Sequence, residues 1–272
     1  MAEPMYRQIA EDLRERIASG EFAPGSKLPT ELELREHYNN ASRNTIRDAI
    51  GWLSNRRLVV AQPGRGTFVV EKLTPFIVPL AAGEKGVGNH EGGVGGDEGE
   101  AFNKAVRLQG GEPRMGDPRV EIRKATSDLA RELHIETGAQ VVSRHQQRFI
   151  DGRPSSLQTS FYPMEFVQRG AVDLLQATDI PQGATKYVGE KLGIKPTGYR
   201  DRVTVRPPDA SETAFFRFPD AGNVVVMVVR RTAYTTGAKP IRFTVTAYPA
   251  DRNHFVIDSG ETPPLDEIVR EL

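Results

Sequence analysis

Three residues, Asn39-Asn40-Ala41, are all that separates two helical patterns in the first quarter of the chain. Upstream, Thr30-Glu31-Leu32-Glu33 has capping-box spacing and predicts a helix from Glu31 to about Tyr38 that buries Leu34 and Tyr38. Downstream, Ser42 caps a further helix in which Ile46, Ala49, Ile50 and Leu53 recur at helical spacing on one face. A connection this short obliges the two helices to cross steeply. Arg43, Asn44 and Arg47 fall on the outward face of the second of them.

The flanking segments fit the same design. Tyr6, Ile9, Ala10, Leu13 and Ile17 mark an amphipathic helix that ends near Ser19-Gly20. Leu58 to Ala61 and Thr67 to Glu71 alternate around Pro63-Gly64-Arg65-Gly66 as a hairpin. A helix-turn-helix followed by such a wing holds cations against a DNA duplex. On this reading Arg43 and Arg47 bind guanine edges or phosphates in bidentate fashion, Asn44 reads adenine, and Thr45 meets phosphate or a thymine methyl. Arg65 and Gly66 form a wing tip suited to the minor groove. The competing reading is a solvated helix face and a simple turn arginine.

Charge is distributed to match. The chain has 272 residues and no net formal charge, yet residues 41–70 carry +4, which leaves −4 for the remainder. A basic patch on a neutral chain orients binding without making the whole molecule adhere to any polyanion. There is no cysteine, which excludes disulfides, zinc fingers and thiol nucleophiles. No apolar run approaches a membrane span and the N-terminus has no signal-peptide core, so the expected setting is the cytoplasm, with no membrane partner. The five histidines show no metal-ligand spacing, and neither a nucleophile elbow nor a phosphate loop appears. No catalytic residue, metal or cofactor is expected.

From Gly83 to Gly99, glycine fills eight of seventeen positions, which predicts a flexible tether or loop. The segment Pro75 to Leu80 has the makings of a short strand. From about Arg119 the pattern becomes strands with interspersed helices: strands over 120–124, 141–150, 155–162, 200–206, 224–234 and 240–248, and helices over 127–133 (capped by Ser127), 185–192 and 209–216. Asp151-Gly152 and Thr236-Gly237 are hairpin turns, so much of the sheet is antiparallel. The fold class is α+β, with a winged helix-turn-helix over 1–72, a linker over 73–118 and a second domain over 119–272.

Leu28-Pro29-Thr30-Glu31, Ser42-Arg43-x-Thr45-Ile46-Arg47 and Gly64-x-Gly66-Thr67-Phe68-Val69 occur in order, and on them residues 6–70 resemble the GntR family of bacterial winged-helix transcription factors. Departures are Leu32, where the family usually has a phosphate-binding arginine, a turn at Asn39-Asn40 one residue longer than usual, and Arg57 in place of glycine. The strand ending Phe161-Tyr162-Pro163, together with Val229 to Tyr234, Gly237-x-x-Pro240-Ile241 and Ala250-Asp251-Arg252, makes residues 119–256 resemble the UTRA domain of HutC-type regulators, similar in fold to chorismate lyase. That resemblance implies an effector site at Arg148, Gln158, Thr185 and Tyr187. Gln158 and Arg242 stand where family members that bind sugars use acids, so Arg148, Arg242 and Arg230 would instead embrace an anion. Structural ion pairing is the alternative role for these arginines.

The sequence therefore points to a homodimeric DNA-binding regulator, an effector-released repressor of operator DNA, with an anion as the expected effector class. The alternative is a DNA-binding architectural protein whose second domain only dimerises.

Overall fold

The computed structural model describes residues 3–56, 58–62, 64–70, 75–80, 100–194, 196–218 and 224–257. Arg57 and the glycine-rich stretch Gly83–Gly99 lie outside these. Contacts divide the chain into Met1–Leu73 and Thr74–Leu272.

In the first unit, α1 (Met5–Ala18), α2 (Glu31–His37) and α3 (Arg43–Asn55) pack around Ile9, Leu13, Leu34, Ile46, Ala49 and Leu53. The capping box expected at α2 forms: Glu33 N donates to Thr30 Oγ1, and Thr30 N donates to the Glu33 carboxylate at 2.7 Å. Ser42 caps α3 by accepting from Thr45 N at 3.1 Å. Between the helices Asn39 and Asn40 both take left-handed backbone (φ 52° and 57°). Asparagine tolerates that region better than most residues, which is how the chain reverses within the extra residue. Ala41, buried at the corner, has its carbonyl held by Arg35 Nε at 3.0 Å.

The wing is β1 (Val59–Gln62) against β2 (Gly66–Val69), antiparallel from Val59↔Val69 to Gln62↔Gly66. Its other edge is not free. Val69 N donates to Ser26 O and Leu28 N to Thr67 O, each at 2.8 Å, so the segment entering α2 is stitched to the wing.

The second unit is built on a seven-stranded antiparallel sheet, order β4-β6-β7-β10-β9-β8 with β5 also paired to β6. Its strands are β4 (Pro113–Met115), β5 (Arg119–Lys124), β6 (Gln140–Ile150), β7 (Arg153–Pro163), β8 (Gly198–Arg206), β9 (Val226–Thr235) and β10 (Lys239–Pro249). A separate parallel pair joins β3 (Phe76–Leu80) to β11 (Asn253–Ile257). The β6–β7 hairpin turns on Asp151 and Gly152, both at positive φ (50° and 73°) with Ile150 opposite Arg153. This is the two-residue turn whose twist suits antiparallel strands.

One sheet face is covered by α5 (Ser127–Leu133), which packs on Val141 and Phe243, and by α8 (Ala210–Phe216), which packs on Leu157, Val228 and Ala247. The other face lies under α4 (Glu100–Leu108), α6 (Met164–Gln168), a 3-10 turn at Val172–Leu175 and α7 (Ala184–Leu192).

Two expectations are corrected. Part of the segment 73–118 expected as linker is integral to the second unit: β3 pairs β11, β4 pairs β6, and α4 buries Phe102, Ala105 and Val106. Those three residues recur at helical spacing, but glycine-rich chain precedes them and a three-residue strand follows. The cap of α5 is Thr126, not Ser127, because Thr126 Oγ1 accepts from Leu129 N.

Ile46 is fully buried at the centre of the three-helix core. Ile46→Ala should therefore cost about 2–5 kcal/mol in urea unfolding of the full chain. Unchanged stability would show that α3 does not close this core.

Candidate functional site

The outward face of α3 carries Arg43 and Arg47 with side chains 67% and 55% exposed. Neither projects freely. Arg43 Nε donates to Glu31 Oε2 and Arg47 Nε to Glu31 Oε1, each at 2.9 Å. Hydrogen bonds from Arg47 and then Arg43 hold the Glu31 carboxyl below the usual carboxylate range. Asn44 is exposed. Thr45 is half-buried, its hydroxyl 2.7 Å from Ser42 Oγ, so it belongs in part to the helix cap.

On the wing, the Arg65 guanidinium lies 5.6 Å from the Phe68 ring centroid. Gly66 sits at φ +118°, and a Cβ there would come within 2.5 Å of Lys27 Cε. The glycine supplies both a backbone conformation and the space through which an exposed lysine stem passes. Lys27 was not among the expected DNA-facing residues. Its only signal is that it follows the Pro24-Gly25 turn, which does not reveal that Lys27 bridges to Phe68. Leu32 is 60% exposed beside Glu31 and adds an apolar side chain to this surface.

The second unit places an unusual amount of polarity inside. Register aligns Arg144 with Ser160, Gln146 with Gln158 and Arg148 with Ser156, and continues from Ser160 and Gln158 to Thr244 and Thr246. Thr244 lies opposite Arg231, which lies opposite Asp201. These side chains share one sheet face and, apart from Asp201, none is more than 6% exposed.

Buried guanidinium groups need fixed acceptors. Arg144 donates to the carbonyls of Leu174, Gln176 and Thr178 at 2.8–2.9 Å, tying down the loop after the 3-10 turn. Arg231 makes a bidentate pair with Asp201 at 2.6 and 2.5 Å. Arg242 donates to Thr244 Oγ1 at 2.6 Å and also to Thr185 Oγ1. Arg148 lies with its guanidinium 5.1 Å from the Phe102 ring centroid. Ser156 Oγ and Arg231 Nη1 have no hydrogen-bond partner among the described residues. Burial pushes the Tyr248 hydroxyl pKa up, so it stays neutral. A cavity of about 550 Å³ opens beside the Gln146–Arg148 end of this face, lined by Asn103, Lys104, Arg107 and Leu108 of α4, with Met115, Asp179 and Pro181. Met115 is Arg148's register partner, and Asp179 accepts from Gln146 at 3.4 Å.

The residues expected to hold an effector are thus only partly brought together. Arg148, Gln158 and Arg242 share the buried face, and Arg242 meets Thr185. Arg148 and Arg242 do not converge. Arg148 is level with Ser156, whose neighbour Gln158 pairs with Thr246, so Arg242 lies six strand positions from Arg148's level, roughly 20 Å away. Tyr187 packs in the apolar cluster with Ala233 and Ile241, its hydroxyl accepting from Asp173 N at 3.1 Å. Arg230 is exposed on the opposite face, because neighbouring strand residues point to opposite sides, and Arg231 takes the interior place. The stretch Val226-Met227-Val228-Val229 is apolar on both faces and gave no alternation from which to choose between the two arginines.

A capped recognition helix with a wing, followed by a sheet domain with a polar interior, defines a two-module transcription regulator. Residues 5–69 match the model for bacterial regulatory proteins of the gntR family, and residues 108–254 match the UTRA domain. The chain belongs to the GntR family and carries a UTRA domain as its effector module. The HTH-type transcriptional regulator YurK of Bacillus subtilis is 24% identical over 262 residues, 95% of this chain and 97% of its own. The mannosyl-D-glycerate transport/metabolism system repressor MngR of Escherichia coli is 44% identical over 69 residues, 25% of this chain and 28% of its own. The crystal structure of PhnF from Mycobacterium smegmatis shares the fold at a TM-score of 0.53 and 22% identity, covering 93% of this chain and all of that one.

Arg144 is the tie between the sheet and the loop 173–179. Arg144→Leu removes the donor from the buried Leu174 carbonyl, which costs about 1–3 kcal/mol if no water reaches it, and releases the part-buried carbonyls of Gln176 and Thr178. Full-length Arg144→Leu should unfold at lower urea and be cut by protease within 173–182 before any other described segment. Wild-type cleavage kinetics there would show that the loop stands without it.

Proposed function

We propose that this regulator is a repressor that binds a two-fold operator as a homodimer and is released by a small anionic effector held in the UTRA module. The observation that carries the effector half is the sealed polar face. A well-packed interior does not leave Ser156 Oγ and Arg231 Nη1 without partners at no cost, and orphaned polar atoms of this kind are the usual complement of a polar ligand or ordered water. The adjoining cavity wall favours an anion, because Lys104 and Arg107 outnumber the single acid Asp179. Arg148 and Gln158 at one end of the face, or Arg242 with Thr185 at the other, are the anchors, whereas Arg230 has no part in it.

Repression follows the example of MngR, whose name calls it a repressor and which is 44% identical over 69 residues of this chain. Arg43, Asn44, Thr45 and Arg47 would read one half-site, with Arg65 at the wing tip in the minor groove and Lys27 on the flanking backbone. Two copies related by a two-fold axis would read two half-sites. An effector releases such a dimer only by preferring a conformation that fits the operator less well, and by no more than its difference in affinity for the two states.

Two measurements test this. Arg43→Ala and Arg47→Ala should each lose about 1–3 kcal/mol of affinity for a duplex selected from a random pool by the wild-type chain, with circular dichroism unchanged. Leu32→Arg should strengthen binding and steepen its salt dependence by about one charge. Undiminished affinity in both arginine variants would remove the assigned face.

For the effector, a thermal-shift panel of carboxylated and phosphorylated metabolites should contain at least one that stabilises the chain by about 2.7 kcal/mol at a hundred times its dissociation constant. The same compound should release the selected duplex. Neutral sugars as the only stabilisers, undiminished in Arg148→Ala and Arg242→Ala, would overturn the anionic assignment. A selected operator with no responsive metabolite would favour a constitutive architectural protein.

A further inference from the structure

We propose that Glu31 is a positioning residue for DNA recognition, which holds the two recognition arginines of α3 side by side and limits their attraction to phosphate. The inference rests on α3 being the reading face. A single carboxylate accepts Arg43 Nε on one oxygen and Arg47 Nε on the other, both at 2.9 Å. These arginines are one helical turn apart, and Glu31 reaches them from the neighbouring helix.

Stability does not explain the arrangement. All three side chains are at least 34% exposed, and exposed ion pairs contribute little or nothing measurable. Nor does Glu31 cap α2, since Thr30 and Glu33 do that between themselves.

What the contact changes is the state in which the cations meet DNA. With Nε of each guanidinium engaged, the two terminal nitrogens remain as an end-on fork, the geometry that pairs with guanine O6 and N7. Two long flexible chains are thereby ordered before binding, which removes part of the entropy lost on association. The carboxylate also lowers the local charge from two positive units to one. Sequence-independent phosphate attraction falls with charge, whereas base readout depends on placement. Glu31 therefore trades total affinity for discrimination.

The test uses the full chain, the duplex selected by the wild type and a scrambled duplex of the same composition, with fluorescence anisotropy at several salt concentrations. Glu31→Gln is nearly isosteric and leaves the Thr30–Glu33 cap intact. It should bind the scrambled duplex more tightly, steepen the salt slope by about one, and lose about tenfold in the selected-to-scrambled ratio, the discrimination carried by one bidentate guanidinium contact. Glu31→Asp keeps the charge but shortens the reach, so its ratio should fall with the slope unchanged. An unchanged ratio in both variants overturns the proposal. So does a parallel loss on both duplexes with a lowered melting temperature, which would mean a structural role only. Loss of discrimination at a single base pair would make Glu31 a base contact instead. If Arg43→Ala and Arg47→Ala leave affinity intact, the reading face and the positioning role fall together. If they weaken binding while Glu31 variants do not alter the ratio, only the positioning role falls.

Discussion

A guanidinium sealed from water must be met by oxygen atoms, and the interior of the UTRA module is organised by that demand. Arg144 meets it with the carbonyls of Leu174, Gln176 and Thr178, every second residue from the 3-10 turn onward, which brings this chain down onto the sheet. Asp179 then stands beside Gln146. Tyr187 closes the same loop from the α7 side by accepting from Asp173 N. Arg231 meets the same demand differently, with a carboxylate from the edge strand β8. Without these acceptors the polar face could not be covered by helices at all, because uncompensated burial of several arginines would exceed the whole stability of a domain this size.

The winged helix depends on a different device. Its reading face is created by a corner with two successive left-handed asparagines, after which Ser42 starts α3 at once. The corner sets the direction of α3 relative to α2, and that direction is what brings Glu31 within reach of both Arg43 and Arg47. The caps, the corner and the carboxylate bridge are consecutive consequences of fewer than twenty residues of sequence.

Legibility in the sequence followed the range of the interactions. The caps at Thr30 and Ser42, the wing, the Asp151-Gly152 turn and the six long strands rest on near neighbours, and each was readable from local pattern. Lateral contacts were not. Arg230 and Arg231 are adjacent in an apolar run without alternation, and only the register with Thr244 and Asp201 decides which of them is interior. The family resemblance groups Arg148 with Arg242, but the two hairpins turn at places that leave the arginines at different levels of the sheet. The strand at Phe76–Leu80 is legible as a strand but its partner β11 is not, and the three residues of β4 are too few to declare themselves, since their pairing is with chain far along the sequence.

Gly66 has an implication for how the wing can vary. The lysine stem that crosses it occupies the volume of any side chain at that position, and the lysine belongs to a segment stitched to the wing's other edge. A side chain at position 66 would push aside the flexible end of Lys27, while the positive φ of Gly66 strains any residue other than glycine there. A lineage that enlarged the wing residue would have to rebuild this backbone, and in doing so it would move a cation on the same surface. The wing's shape and its charge thus belong to a single heritable choice.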